Sequence, residues 1–218
     1  MIERRTVRDL AGLRAAYDAT YARTEYGERP ALYRQVRRLL GAPAGALVLD
    51  VGCGAGAFAR AAPDLRVVGL DLSGNALLRA RQAGVPRLVH GQGERLPVRD
   101  ACVRHLVCLG NLEHFLDPEQ GARELARALA PGGRGVVMLP NAYYSGDLWR
   151  LVRTGQGPDH HQAIDRFATC GEWRALLERG GLAVAAVERW DKGKRWKRLF
   201  PFQLAYHFVF AVTPAAGG

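Results

Sequence analysis

The chain has 218 residues, enough for one compact domain with a buried core and too few for two full ones. Its 48% hydrophobic and 24% charged residues exclude the polar, core-poor composition of a disordered chain. The net charge of +10 admits a polyanionic partner, although the arginines behind it are spread along the sequence.

The first ten residues, MIERRTVRDL, carry no apolar stretch, and the apolar run 199–212 is broken by Pro201, Gln203 and His207. Neither a secretory signal nor a membrane span is expected, which places the chain in the cytoplasm. Cys53, Cys102, Cys108 and Cys170 show no CxxC pairing and no histidine at ligand spacing. Four reduced thiols, mostly buried, and no metal are expected.

Residues 1–41 read as an N-terminal helical cap, with a helix over 30–41 that starts on Pro30, repeats Leu32, Val36 and Leu39 or Leu40, and stops at Gly41. ALVLDV (46–51) and LRVVGLDL (65–72) are apolar runs ending in an acid, the form of buried parallel strands. Ser73 caps a helix running to about Ala83. RLVHG (87–91), VRHLVCLG (103–110) and RGVVMLPN (134–141) are three further strands. A helix through Ala122, Leu125 and Leu129, stopped by Pro131-Gly132-Gly133, separates the last two.

Residues 142–169 hold Tyr143, Tyr144, Trp149 and the His160-His161 pair but little periodicity, and read as a substrate-side insertion. A helix over 171–181, a strand over 182–190, a basic loop and a strand over 202–212 close the chain. That loop is too short for a parallel crossover, so the last two strands form an antiparallel edge hairpin. The expected architecture is a single α/β domain, doubly wound, with seven strands, mostly parallel, in four segments: cap 1–41, core 42–141, insertion 142–169, and C-terminal helix and two strands 170–218. Functional residues then sit just past the carboxyl ends of the strands.

The most informative stretch is VLDVGCGAGAF (48–58), where a strand delivers Asp50 into the turn Gly52-Cys53-Gly54-Ala55-Gly56. Glycines there let backbone N–H groups approach a ligand. Dinucleotide-binding proteins use GxGxxG for pyrophosphate. Here the spacing is GxGxG with a carboxylate just before it, which repels pyrophosphate and suits an ammonium, so a cofactor with a cationic amino-acid end is favoured. Asp71 ends the next strand about 20 residues on, where an acid typically holds ribose hydroxyls.

With GERLPVRDACVRHLVCLGNLEHFLDP (93–118) and ELARALAPGGRGVVMLPN (124–141), residues 40–141 resemble the class I S-adenosylmethionine-dependent methyltransferases, in particular the type 11 branch with the ubiquinone-biosynthesis O-methyltransferases. The resemblance implies a Rossmann-like sheet of order 3-2-1-4-5-7-6 and S-adenosylmethionine as cofactor, with S-adenosylhomocysteine as product. It places Gly52, Cys53 and Gly54 at the methionine moiety and Asp71 and Leu72 at the ribose. Gln92, Gly93 and Glu94 fall at the adenine, Leu109, Asn111 and His114 past the fourth strand, and Tyr21 over the cofactor with Tyr17, Tyr26 and Arg34 beside it. Two positions depart from the family: Gln92 stands where an Asp is usual, and Val103-Arg104 replaces Phe-Asp.

The candidate bases are His114, His160 and His161, ahead of Glu113 and Asp165. The expected acceptor is a small molecule, taken at an oxygen of a metabolite, a lipid or quinone, or a glycan precursor. The alternatives are an RNA methyltransferase, a nicotinamide-dependent oxidoreductase, and a noncatalytic cofactor-binding module. The segment 189–200 interleaves Trp190 and Trp196 with Lys192, Lys194, Arg195, Lys197 and Arg198. It reads either as a solvated hairpin loop or as a contact for an anionic membrane or phosphate. A monomer or a homodimer is consistent with all of this.

Overall fold

The computed structural model describes residues 1–23, 29–156, 162–192 and 199–215. In chain order the elements are β1 (Ile2–Arg5), α1 (Leu10–Arg23), α2 (Pro30–Leu40), β2 (Leu47–Val51), α3 (Ala57–Ala61), β3 (Arg66–Asp71), α4 (Gly74–Gln82), β4 (Leu88–His90) and β5 (Val103–Leu109). They continue with α5 (Pro118–Ala128), β6 (Leu129–Pro140), α6 (Ser145–Thr154), β7 (Ile164–Phe167), α7 (Cys170–Arg179), β8 (Leu182–Trp190) and β9 (His207–Pro214).

Seven strands form one sheet in the order β4-β3-β2-β5-β6-β9-β8, while β1 and β7 pair separately. Counted within the large sheet alone, this is the expected 3-2-1-4-5-7-6; the labels differ because β1 and β7 are additional strands. β2 to β6 pair in parallel, and β9 lies antiparallel to both β6 and β8.

Alternation along each strand builds a core on either face. Leu49, Val51, Leu106 and Cys108 point towards Leu125 of α5 and Trp173 of α7. Val48, Val67, Val107 and Val136 point towards Leu32, Val36 and Leu40 of α2 and Phe58 of α3. The caps follow the sequence. Ser73 Oγ accepts from Ala76 N at 3.1 Å, and Thr169 and Glu172 form a capping box on α7.

Several expectations are corrected. The helix expected to reach Leu129 and stop at Pro131-Gly132-Gly133 ends at Ala128. Leu129 instead opens β6 and pairs with Val103, and the Pro-Gly-Gly stretch lies where the register shifts between Val103 and His105. Segment 142–169 holds α6 and β7. The last strand begins at His207, since Phe202–Leu204 forms a 3₁₀ turn. Of the four free cysteines, Cys53 and Cys108 are buried, Cys170 is half-buried and Cys102 is exposed. Among the described residues no helix is long and apolar enough to cross a membrane.

Candidate active site

The carboxyl ends of β2, β3 and β5 converge on two adjoining cavities. The smaller is bounded by Asp71, Leu72, Gln92, Gly93 and Glu94 with Leu13 and Phe115. The larger, of about 660 Å³, reaches from Cys53 and Gly54 past Leu109 to the ends of β6 and β9. Tyr17, Tyr21, Gly52, Asn111 and His114 border both. A space of that size suits a small molecule.

The turn after β2 is built by close approach. Gly52 and Gly54 have φ of +74° and +52°, and a Cβ would overlap the Asn111 amide at the first and the Tyr21 hydroxyl at the second. Asp71 fixes this turn from the end of β3: its Oδ2 accepts from Gly54 N and its Oδ1 from Ser73 N, both at 2.8 Å. Burial raises the Asp71 carboxyl, and the two N–H donors oppose the rise.

Asp50 borders neither cavity; it is 2% exposed beneath the turn, and its Oδ2 has no hydrogen-bond partner among the described residues. Burial first, and then the negative Asp71, push its carboxyl up to about 7. A cradle that any Cβ would fill, with the Asp50 carboxyl buried beneath it, fits a ligand that meets the turn's backbone and brings positive charge.

The folded protein holds a proton on Asp50 that the unfolded chain releases near its ordinary value of 3.8. The associated stability is present below that pH and is lost as the pH rises through about 7. Asp50→Asn is expected to flatten the melting-temperature profile across this window and to raise Tm above the native protein's at about pH 8. Parallel profiles for the two proteins would contradict this.

The aromatic cover comes from α1, which Asp18 and the Arg79–Ala22 hydrogen bond hold against α4. Asp18 Oδ1 accepts from Ser73 Oγ at 2.6 Å and from Asn75 N at 3.2 Å, and its carbonyl accepts from Asn75 Nδ2 at 2.9 Å. This ties α1 to the start of α4, with Tyr21 over the glycine turn and Tyr17 edge-on to His114. Arg34 is exposed on α2 and borders neither cavity, and Tyr26 lies outside the described residues.

Past β4, Glu94 borders the smaller cavity while its Oε1 accepts from Asp117 N at 2.6 Å, bracing the loop against the start of α5. His114 sits in a 3₁₀ turn, Leu112–His114, with its side chain 13% exposed. Its Nδ1 donates to the Ile164 carbonyl, and Asp165 Oδ1 lies 3.6 Å from the same nitrogen. A carbonyl can only accept, so the proton is on Nδ1 and the Nε2 lone pair is open. Burial lowers the imidazole, against the pull of the Ile164 carbonyl and Asp165, and keeps it neutral. Glu113 Oε1 lies 3.7 Å from Nε2, and burial pushes the Glu113 carboxyl up to about 8.

His160 and His161 lie outside the described residues, as do 193–198 of the basic segment. Trp190 packs inward, its ring 5.6 Å from that of Tyr206 with Arg29 stacked at 5.4 Å.

A family model described as "Methyltransferase domain" matches residues 49–137. The chain carries an S-adenosylmethionine-dependent methyltransferase domain. A probable S-adenosylmethionine-dependent methyltransferase of Mycolicibacterium smegmatis is 38% identical across 68% of this chain and 56% of its own length. The malonyl-[acyl-carrier protein] O-methyltransferase of Alcanivorax borkumensis is 29% identical across 65% of this chain and 50% of its own. The chain thus spans about half the length of these curated relatives. The methyltransferase fold also matches a chain solved in complex with the Haloferax volcanii Trm112 methyltransferase activator, with TM-score 0.66 and 20% identity over 94% of this chain and 99% of that one.

Three features of the site do not show in the methyltransferase sequence. His207, inside the strand expected over 202–212, is the first residue of β9, opposite Pro140, and borders the larger cavity. The Asp18 clamp has no local signal, since its partners are some 55 residues away. Asn141 donates from Nδ2 to the carbonyls of Gln203 and Ala205, at 2.6 and 2.8 Å, which pins the cavity's far wall.

Proposed function

We propose that this chain transfers the methyl group of S-adenosylmethionine to an oxygen of a small-molecule acceptor. The observation that carries the reading is the Gly52–Gly54 cradle, held by Asp71 above the orphaned Asp50 oxygen and opening on both cavities. When bound, S-adenosylmethionine supplies a methyl on a sulfonium, whose departure leaves a neutral thioether.

The chain's own residues bind and orient. Asp71 and Leu72 hold the ribose, and Gln92, Gly93 and Glu94 line the adenine end. The backbone of Gly52, Cys53 and Gly54 meets the amino-acid end above Asp50, with Leu109 and Asn111 beside it and Tyr21 over the turn. An aromatic face near a sulfonium is attractive to it. Residues 1–41 act as the cap, 42–141 as the cofactor core, 142–169 as the acceptor-side insertion and 170–218 as the closing edge of one domain.

His114 takes the acceptor's proton on Nε2, since it is neutral, oriented by Ile164 and open to the larger cavity. His160 and His161 remain candidates for the same role. The test is transfer of labelled methyl to a panel of phenols and sugars. His114→Ala is expected to lower turnover by about 10²-fold or more with unchanged S-adenosylhomocysteine affinity. Undiminished turnover would remove His114 from the chemistry.

A second reading rests on the net charge of +10, which favours an RNA acceptor. Binding of a transfer RNA that weakens steeply with salt would support it over the small-molecule acceptor.

A further inference from the structure

Resting on the methyl-transfer reading, we infer that the far end of the larger cavity is an acceptor subsite for a hydroxylated aromatic ring, whose hydroxyl is held by Glu113 and His207. Glu113 and His207 are 3% and 9% exposed, and both border the larger cavity but not the smaller one with Asp71 and Gln92. Glu113 Oε2 and His207 Nδ1 each have no hydrogen-bond partner among the described residues. A buried polar atom without a partner is costly, so two such groups bordering one cavity point to a ligand that satisfies both.

The two groups come from distant parts of the chain. Glu113 follows β5, and His207 opens β9. Arg29, Glu113, His114 and His207 all border the larger cavity, so the candidate base and the pair share one space.

Their protonation states narrow the chemistry. Burial keeps His207 neutral, at about 3, and holds Glu113 as the neutral acid through neutral pH. A neutral carboxyl donates and accepts, and so does a neutral imidazole. That matches a hydroxyl, which also does both. A flat ring is favoured by the wall itself. Tyr206 stands edge-on to His207 with ring centroids 4.2 Å apart, and Tyr33, Phe167 and Met138 border the same space.

The test uses the full chain saturated with S-adenosylhomocysteine and titrated with catechol, benzoate and cyclohexanol, followed by calorimetry. Catechol is expected to bind at least about tenfold more tightly than benzoate, which lacks the hydroxyl, and more tightly than cyclohexanol, which lacks the flat ring. His207→Phe, which keeps the ring packing, and Glu113→Met are each expected to remove the advantage over benzoate, whereas Glu113→Gln retains it. All three variants are expected to keep the native S-adenosylhomocysteine affinity, which also shows that they fold. Native protein that holds catechol no more tightly than cyclohexanol, or benzoate more tightly than catechol, overturns the subsite and leaves the cofactor reading standing. Protein that does not bind S-adenosylhomocysteine overturns both.

Discussion

Gly54→Val is expected to weaken S-adenosylhomocysteine binding by at least about 100-fold, or roughly 3 kcal/mol, and Gly52→Val to do the same. Two effects add at each position. The backbone is left-handed, with φ of +52° and +74°, which a β-branched residue resists. The new side chain would also occupy the space between the turn and Tyr21 or Asn111, where backbone N–H groups must stay accessible. Gly56→Val is the control. Its φ of +75° is as strained, but a Cβ there meets Val85 Cγ2 at 2.5 Å and faces neither cavity. That variant is expected to melt at a lower temperature while its folded fraction keeps the native affinity. A Gly54→Val protein that binds as tightly as the native one would show that the turn does not cradle the cofactor.

Arg166→Met is expected to destabilise the fold by about 3–5 kcal/mol, lowering Tm by on the order of 10 °C. Arg166 is 2% exposed, and its guanidinium gathers three carbonyls and a carboxylate. It donates from Nη1 to the carbonyls of Glu113, at 3.0 Å, and Phe115, and from Nη2 to that of Leu116 at 3.2 Å. Its Nε donates to Glu3 Oε2 at 2.9 Å. Burial would raise the Glu3 carboxyl, yet Arg166 together with Arg5 holds it below the usual range.

One side chain therefore fastens β1 to β7 and fixes the turn that carries His114. Removing it leaves the Glu113, Phe115 and Leu116 carbonyls without this donor and Glu3 without its main counter-charge. Hydrogen exchange is expected to accelerate first in β1 and in residues 112–116. Arg166→Lys is expected to recover little, because an ammonium lacks the planar fork that reaches several acceptors at once. A native melting temperature in Arg166→Met would contradict this account.

The sheet was legible where burial is total. LVLDV and RVVGLD are unbroken apolar runs ending in an acid because both faces of β2 and β3 are covered. The capping residues Ser73 and Thr169 and the turn at Gly41 act through partners within four residues, so local pattern contains them.

What escaped the sequence depends on distant partners. β1 and β7 read IERR and IDRF, four residues each, and are strands only because they pair with each other across 160 residues of chain. The end of α5 was misplaced because Pro131-Gly132-Gly133 is a helix-stop signal that here serves an irregular strand pairing with Val103.

In the site, the glycine turn and Asp71 follow from strand ends and Gln92–Glu94 from the family resemblance, and Gly52, Asp71 and Gln92–Glu94 border one cavity. His207 did not stand out, because an apolar run hides the residue at which a strand begins. The sequence position of Asp50 suggests a direct contact with a ligand, whereas its burial sets it beneath the turn.

The most direct test of the central claim is a calorimetric titration of the purified chain with S-adenosylhomocysteine, run beside NADH. Saturable binding of S-adenosylhomocysteine alone is the predicted result, and it would place the Gly52–Gly54 cradle and Asp71 in service of that cofactor. Binding of NADH, or of neither, would contradict the methyl-transfer account while leaving the fold as described.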